Sequence, residues 1–245
     1  MALYESRYEV RFAANNLEVR LAQELRFRVF VQEFGANANY VANRRSEFDD
    51  FDRYCDHLLL IDTKSIAHSE ETPKVIGVTR LMLKAQAEKG IGFYSSQEYD
   101  LAPILKSGRM SLELGRSCID VAYRSSLALH FLWKEIGSYV AKKKVEILFG
   151  VASFPGTNLN SINMALSHLH YSYSAPINLR PMALAKGYQS MAIVKPNLLD
   201  LNQALSQMPA LLKTYLRFGA FVGDGAYIDR TFNTVDVLLI IDTLR

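Results

Sequence analysis

Apolar residues recur every four positions at Leu17, Leu21, Leu25 and Val29, the spacing of one helix face. Asn15 or Asn16 can cap that helix, because a short amide side chain accepts from the unpaired N–H groups of a first turn. The pattern fades at Phe34-Gly35, and weak alternation over Tyr8–Phe12 predicts a strand before it. Residues 36 to 55 are polar and predict a loop. The runs His57–Ile61 and Val75–Leu83 predict two strands joined by a polar loop containing Pro73. Gly90–Leu101 predicts a loop anchored by Phe93, Tyr94 and Tyr99.

The second half alternates in the same way. Leu112 to Arg124 predicts a strand that turns through Arg124-Ser125-Ser126 into a helix ending near Ala141, with Leu127, Phe131, Ile136 and Val140 apolar. Ile147–Ala152 predicts a buried strand, Thr157 a cap for a helix through Leu169, and Ser190–Val194 a further strand. Residues 198 to 218 show helical spacing at Leu201, Leu205, Met208, Leu212 and Leu216; Pro209 breaks or kinks that run because it lacks an N–H. Val235–Ile241 is the last predicted strand. Without repeats, low-complexity tracts or a linker, one α/β domain over residues 1–245 is the expectation.

Composition narrows the class. Hydrophobic residues make up 49% of the chain and charged ones 22%, enough apolar surface for a full core. The net charge of +3 and the lack of a basic stripe with interleaved aromatics argue against nucleic acid as a partner. Cys55 and Cys118 fit neither a disulfide framework nor a metal spacing, which points to a reducing compartment and no bound metal. Met1 to Glu5 lack the regions of a signal peptide, and no segment approaches the ~18 apolar residues of a membrane span. A cytoplasmic protein is expected.

Charge inside apolar segments is where chemistry is sought. Glu113 and Arg116 lie on one predicted strand, where residues three apart face opposite sides unless a bulge, here at Gly115, brings them together. Such a pair is either a buried structural ion pair or part of a reaction centre. Arg80, within Val78-Thr79-Arg80-Leu81-Met82, needs an edge position or a partner. Glu47-Phe48-Asp49-Asp50-Phe51-Asp52 is an acidic knot; its two phenylalanines suggest a loop tied down, whose carboxylates can converge on an ammonium. Arg26 or Arg28 adds a cation on the first helix. His57 and Asp62 match the H-x4-D spacing of glycerolipid acyltransferases by chance, because one strand sends them to opposite faces. Cys118 has no histidine nearby in sequence and reads as core packing. There is no G-x-S-x-G elbow, Walker loop or G-x-G-x-x-G.

Taken in order, Arg26, Glu47-x-Asp49-x-x-Asp52, Arg80, Phe93 and Glu113-x-x-Arg116 resemble the pattern of acyl-homoserine-lactone synthases. The ornithine N-alpha-acyltransferases are closer. Their likeness runs through Leu25-Arg26-Phe27-Arg28-Val29-Phe30, Glu47-Phe48-Asp49-Asp50, Cys55-Asp56-His57-Leu58-Leu59 and Gly92-Phe93-Tyr94-Ser95. It continues through Leu112 to Cys118, Pro209 to Lys213 and Asp229 to Asp236. The resemblance implies a GNAT-like (acyl-CoA N-acyltransferase) fold: a central mixed, twisted sheet with a bulged central strand, flanked by helices.

It also implies a reaction, transfer of a 3-hydroxylated fatty acyl chain from acyl carrier protein to the α-amine of ornithine, giving lyso-ornithine lipid. Glu113 is then the base, with Arg116 holding it or the substrate carboxylate. Glu47, Asp49 and Asp52 hold the ammonium groups, Arg26 and Arg80 order that loop, and Phe93 lines the substrate side. Ser117, Cys118, Ile119, Arg124, Ser125 and Ser126 meet the donor. Enzymes that use acetyl-CoA carry a glycine-containing R/Q-x-x-G-x-G/A before the long helix, whereas Arg124-Ser125-Ser126-Leu127-Ala128-Leu129 has no glycine. That departure favours the phosphopantetheine of a carrier protein over CoA, with no permanently bound cofactor. Glycine, tyrosine or another amine is the alternative acceptor, and a non-catalytic binder of carrier protein or lipid the alternative class. An amphiphilic product implies peripheral contact with the inner face of the cytoplasmic membrane.

Overall fold

The computed structural model describes residues 7–37, 40–41, 45–64, 72–124 and 126–244. They form two compact units, the first within Met1–Ile91 and Leu114–Lys144, the second within Gly92–Glu113 and Val145–Arg245.

In the first unit, strand β1 (Tyr8–Phe12) pairs antiparallel with β2 (Asp56–Asp62), and β2 with β3 (Val75–Leu83). Strand β4 (Ser111–Ile119) lies beside β3 and contributes Leu114–Ile119 here. Helix α1 (Asn16–Arg26) starts as its sequence predicts: the Asn15 side chain accepts from the Glu18 N–H at 3.0 Å. From Phe27 to Glu33 the helix widens into a π-helix, and Phe34 N–H donates to Val29 C=O at 3.1 Å. Alternation along β2 separates two apolar layers. Leu59 and Ile61 join Ala22, Leu25 and Val29 of the helical segment and Cys118 in one core cluster. Leu58 and Leu60 take the opposite parity, the side of helix α2 (Ser126–Lys143), which packs on β1, β2 and β3. Gly77 permits close packing there, since a Cβ would stand 3.2 Å from Leu60 Cβ and 3.4 Å from Leu132 Cδ1. Each fully buried leucine contributes about 1.5–3 kcal/mol, so packing rather than propensity holds α1 in place.

In the second unit, Ser111–Glu113 of β4 run parallel to β5 (Ile147–Pro155), with Glu113 opposite Phe149. Strand β7 (Thr234–Asp242) pairs antiparallel with β5 and with β6 (Ala226–Asp229). Parallel and antiparallel pairing thus coexist, as expected for a mixed sheet. Helices α3 (Asn163–Tyr173), α4 (Leu201–Gln207) and α5 (Ala210–Arg217) complete the unit, and Pro209 separates α4 from α5 as predicted. Among the described residues no helix is long and apolar enough to cross a membrane.

Two expectations are corrected. Ser190–Val194 is not a strand. The buried Ser167 hydroxyl accepts from Ile193 and Val194 N–H at 3.1 and 2.9 Å and donates to Met191 C=O at 3.0 Å, taking the place of a ladder. A short strand, Tyr188–Gln189, precedes it and pairs with β6. Thr157 caps no helix: α3 begins at Asn163, after a 3-10 turn over Leu159–Ser161 in which the Asn158 side chain accepts from Asn160 N–H.

Candidate functional site

The last residue of α1 is the hub of the first unit. Arg26, 1% exposed, donates to Glu47 through Nε and to Asp52 through Nη1 and Nη2, at 2.6 and 3.2 Å for the latter pair. Arg80 of β3 donates from Nη1 to Asp49 at 2.5 Å and to Asp52 at 2.9 Å, with its guanidinium over the Phe51 ring. Arg116 of β4 reaches Glu47 at 3.3 Å and Asp49 at 3.1 Å. Three guanidiniums therefore face three carboxylates, and charge is balanced at a place where unpaired charge would be costly. The interleaved phenylalanine has its reason too, since Phe51 is buried under Arg80.

Burial by itself would raise the proton affinity of Asp52 and Asp49. The Arg26 and Arg80 charges reverse this for Asp52, and Arg80 and Arg116 for Asp49, holding both below the usual carboxylate range. For Arg26 burial acts against the charged form, and the Glu47 and Asp52 charges overcome it. Sequence reading missed two supports of this network. Gln23, one turn before Arg26, donates to Asp52 at 2.9 Å, a helical spacing that could have revealed it. His57 bonds the Asp52 carbonyl through Nε2 at 2.9 Å, and burial pushes its pKa down. Asp62 instead accepts from Arg7 and the Tyr123 hydroxyl, each at 3.0 Å, so the H-x4-D match carries no dyad.

The network is least buried at its Asp49–Arg116 end, where the side chains are 15% and 10% exposed. Arg116 has φ +52°, a left-handed conformation that costs a residue with a side chain about 1–3 kcal/mol. The distortion expected at Gly115 thus falls on its neighbour, and the two ion pairs of Arg116 hold it there. Beyond it, Ser117 Oγ accepts from Thr79 Oγ1 at 3.2 Å. Cys118 is buried, which pushes its thiol up to about 12 and makes it inert. The Ile119 carbonyl accepts from Arg124 Nε at 3.0 Å, and Arg124 forks onto Glu33 at 2.5 and 2.6 Å. Arg124 also lines a pocket of about 470 Å³ with Arg7, Tyr8, Lys74 and Tyr123. Ser126 opens α2, and Ser125 lies outside the described residues.

In the second unit Glu113 is buried and its carboxylate is gripped from one turn. Oε2 accepts from Tyr94 N–H at 2.8 Å; Oε1 accepts from Ser95 N–H at 2.7 Å and from Ser95 Oγ at 2.5 Å. This 3-10 turn, Tyr94–Gln97, follows Phe93, which meets Phe149 edge-on at 5.0 Å. Ser95 lies in the Gly92-Phe93-Tyr94-Ser95 stretch of the family likeness, but the sequence gives it no role, because its contact with Glu113 is 18 residues away along the chain. Among the described residues one acidic group, Glu98, Asp229 and Asp236, brings its oxygens within 4.8 Å of one another and could hold a cation.

Residues 25–134 match the acetyltransferase (GNAT) domain model. The L-ornithine N(alpha)-acyltransferase of Rhodobacter capsulatus is 43% identical over 99% of this chain and 93% of its own length. That of Brucella abortus is 41% identical over 97% and 85%. Two solved structures share the fold at low identity. The AHL synthase LasI has a TM-score of 0.51 at 14% identity, covering 95% of this chain and 89% of its own. FeeM, an N-acyl amino acid synthase from uncultured soil microbes, has a TM-score of 0.52 at 10% identity, covering 98% and 93%.

Proposed function

The chain belongs to the family of L-ornithine N(alpha)-acyltransferases, and as an N-acyltransferase of that family we propose that it acylates the α-amine of L-ornithine. The donor is a 3-hydroxylated fatty acyl chain on the phosphopantetheine of acyl carrier protein, and the product is lyso-ornithine lipid. The observation that carries the acceptor is the likeness, over nearly the whole chain, to relatives named for that amino acid, one of them 43% identical. The glycine-free entry to α2, Arg124-Ser125-Ser126, supports a carrier-bound donor, since no close backbone approach to a pyrophosphate is built in.

In this reading the neutral amine attacks the thioester carbon; the C–N bond forms, the C–S bond breaks, and the amine's surplus proton ends on the departing pantetheine thiol. Before attack Glu113 takes a proton from the substrate's α-ammonium, directly or through a water, to give that neutral amine, and its anchoring by Tyr94 and Ser95 fixes its direction. Arg116 binds the substrate carboxylate from the accessible end of the network. Arg26 and Arg80 order the loop of Glu47, Asp49 and Asp52, which meets the substrate's ammonium. Phe93 stands beside the acceptor. Ser117, Cys118, Ile119, Arg124, Ser125 and Ser126 form the donor side, where strand β4 leads into α2. The protein works in the cytoplasm and releases its amphiphilic product at the membrane's inner face, where the exposed Leu198, Leu201 and Leu205 enter the interface.

Purified protein incubated with 3-hydroxyacyl carrier protein and ornithine, glycine or tyrosine tests the assignment. N-acylornithine as the dominant product is expected. A glycine or tyrosine product without an ornithine product would reassign the acceptor, and no product with any amine would remove the enzyme reading.

A further inference from the structure

One end of the first unit combines cations with an exposed apolar ridge. Strands β1 and β3 begin there, and β2 and β4 end there: Tyr8 stands opposite Asp62, Ile61 opposite Val75, and Asp120 N–H donates to Ile76 C=O at 2.8 Å. This edge holds two neighbouring hollows. One, of about 470 Å³, takes its charge from Arg7, Lys74 and Arg124; the other, of about 320 Å³, from Arg28, Glu33 and Asp120. Val121 lines both and is 68% exposed, so it forms the ridge between them. The π-helical segment shapes the smaller hollow. Its wider turn brings residues five apart toward one side, so Arg28 and Glu33 line the hollow together. In a regular α-helix a five-residue step turns through about 140° and would separate them.

The carboxylates of this edge are already engaged. Asp62 accepts from Arg7 and Tyr123, Glu33 accepts from Arg124, and Asp120 lies 3.6 Å from Arg28. Four cations thus meet three carboxylates, and one positive charge is left over. It falls on Lys74. Among the described residues its ammonium forms no salt bridge; it gives one of its three donors to the Tyr123 hydroxyl, at 2.9 Å, and the residue is exposed.

We infer that this edge, centred on Arg28, Lys74 and Val121, is the surface on which the acyl carrier protein docks. The inference rests on the proposed carrier-bound donor. A phosphopantetheine arm joins its carrier at the phosphate, so a phosphate held at the start of α2 brings the carrier over the residues around it. Tyr123 and Arg124 lead directly into Ser125-Ser126 and α2. Acyl carrier proteins are strongly acidic, and an acidic face matches surplus positive charge beside an exposed valine. A membrane pressed on the same edge would close the donor's way in.

The test measures steady-state kinetics of the full-length enzyme with 3-hydroxyacyl carrier protein as the varied substrate and ornithine saturating. Lys74→Glu and Arg28→Gln change cations at the surface, and Val121→Ser shortens the ridge; none of the three has a role in the reaction described above. At low salt the KM for the carrier should rise about 10-fold in Lys74→Glu and less in Arg28→Gln, with kcat kept. Added salt should narrow both gaps, because it screens exposed charge. Val121→Ser should raise KM by a factor that salt leaves alone. Unchanged KM in all three variants would overturn the docking surface and leave the carrier-bound donor standing. A fall in kcat at constant KM would also overturn it, since these residues would then act on the fold or the chemistry. So would variants that keep the carrier KM but no longer co-sediment with phosphatidylglycerol vesicles, which would assign the edge to a lipid surface. A wild type that uses the CoA thioester and not the carrier-borne one removes the donor reading together with this surface. One inactive with both removes the acyltransferase reading itself.

Discussion

Arg26 donates twice to Asp52, at 2.6 and 3.2 Å, and neither residue is exposed to solvent by more than 8%. One joins a helix to the other's loop, and Arg80 joins the same carboxylate to β3 at 2.9 Å. The loop is therefore part of the folded frame. Asp52→Asn leaves two buried guanidiniums short of charge and is expected to cost about 3–5 kcal/mol.

The same pairs set an acid limit. Asp49 and Asp52 ionise more readily in the folded state than in the unfolded chain, so folding gains from them above the ordinary carboxylate range. That gain disappears as pH falls below about 4 and through their lowered folded values. Denaturant titrations at about pH 7, 5 and 3 should show a steep loss only at the last, and a shallower one in Asp52→Asn.

At position 116 strain and charge can be separated. Arg116→Ala keeps the left-handed backbone and loses both ion pairs, whereas Arg116→Gly loses the pairs but relieves the backbone. Arg116→Gly is expected to be more stable than Arg116→Ala by about 1 kcal/mol in urea unfolding. Both should lose activity if the guanidinium binds the substrate carboxylate.

Glu113→Gln removes the proposed proton acceptor and turns an amide toward three donors. A fall in kcat of about 10²–10⁴ is expected. Ser95→Ala removes one of those donors and leaves the carboxylate, so its loss should be smaller. Full activity in Glu113→Gln would remove the base assignment.

Cys118 should resist alkylation in the native protein, because its thiol is buried and its pKa is pushed up to about 12. Cys55 is partly exposed and should react first. Peptide mass spectrometry after iodoacetamide treatment distinguishes them, and prompt modification of Cys118 would contradict the packing described for it.

Much of this was legible in the chain. The α1 face, the Asn15 cap, the break at Pro209 and the central strands follow from local periodicity and turn chemistry. Arg80 and the Glu113/Arg116 pair stand out because a charge within an apolar pattern needs a partner, whereas Arg26 is separated from Arg28, and both Arg26 and Arg80 are tied to the acidic loop, only by the family resemblance. What escaped depends on contacts distant in sequence. Ser167 replaces a strand ladder at Ile193 and Val194, although the run Ser190–Val194 reads as a strand by composition. The short helices Lys84–Lys89 and Ala102–Lys106 offer too few turns for a period to register. Glu98 meets Asp229 and Asp236 only through pairing across a hairpin, which no linear spacing encodes.

The most direct test of the central claim is the structure of the product. Purified protein, ornithine and 3-hydroxyacyl carrier protein should yield one new amide on the α-nitrogen, located by tandem mass spectrometry against synthetic standards. Omission of the protein, or Glu113→Gln, should reduce it to background or near it. Acylation of the δ-nitrogen, or no acylated ornithine from either a carrier-protein or a CoA thioester, would contradict the account.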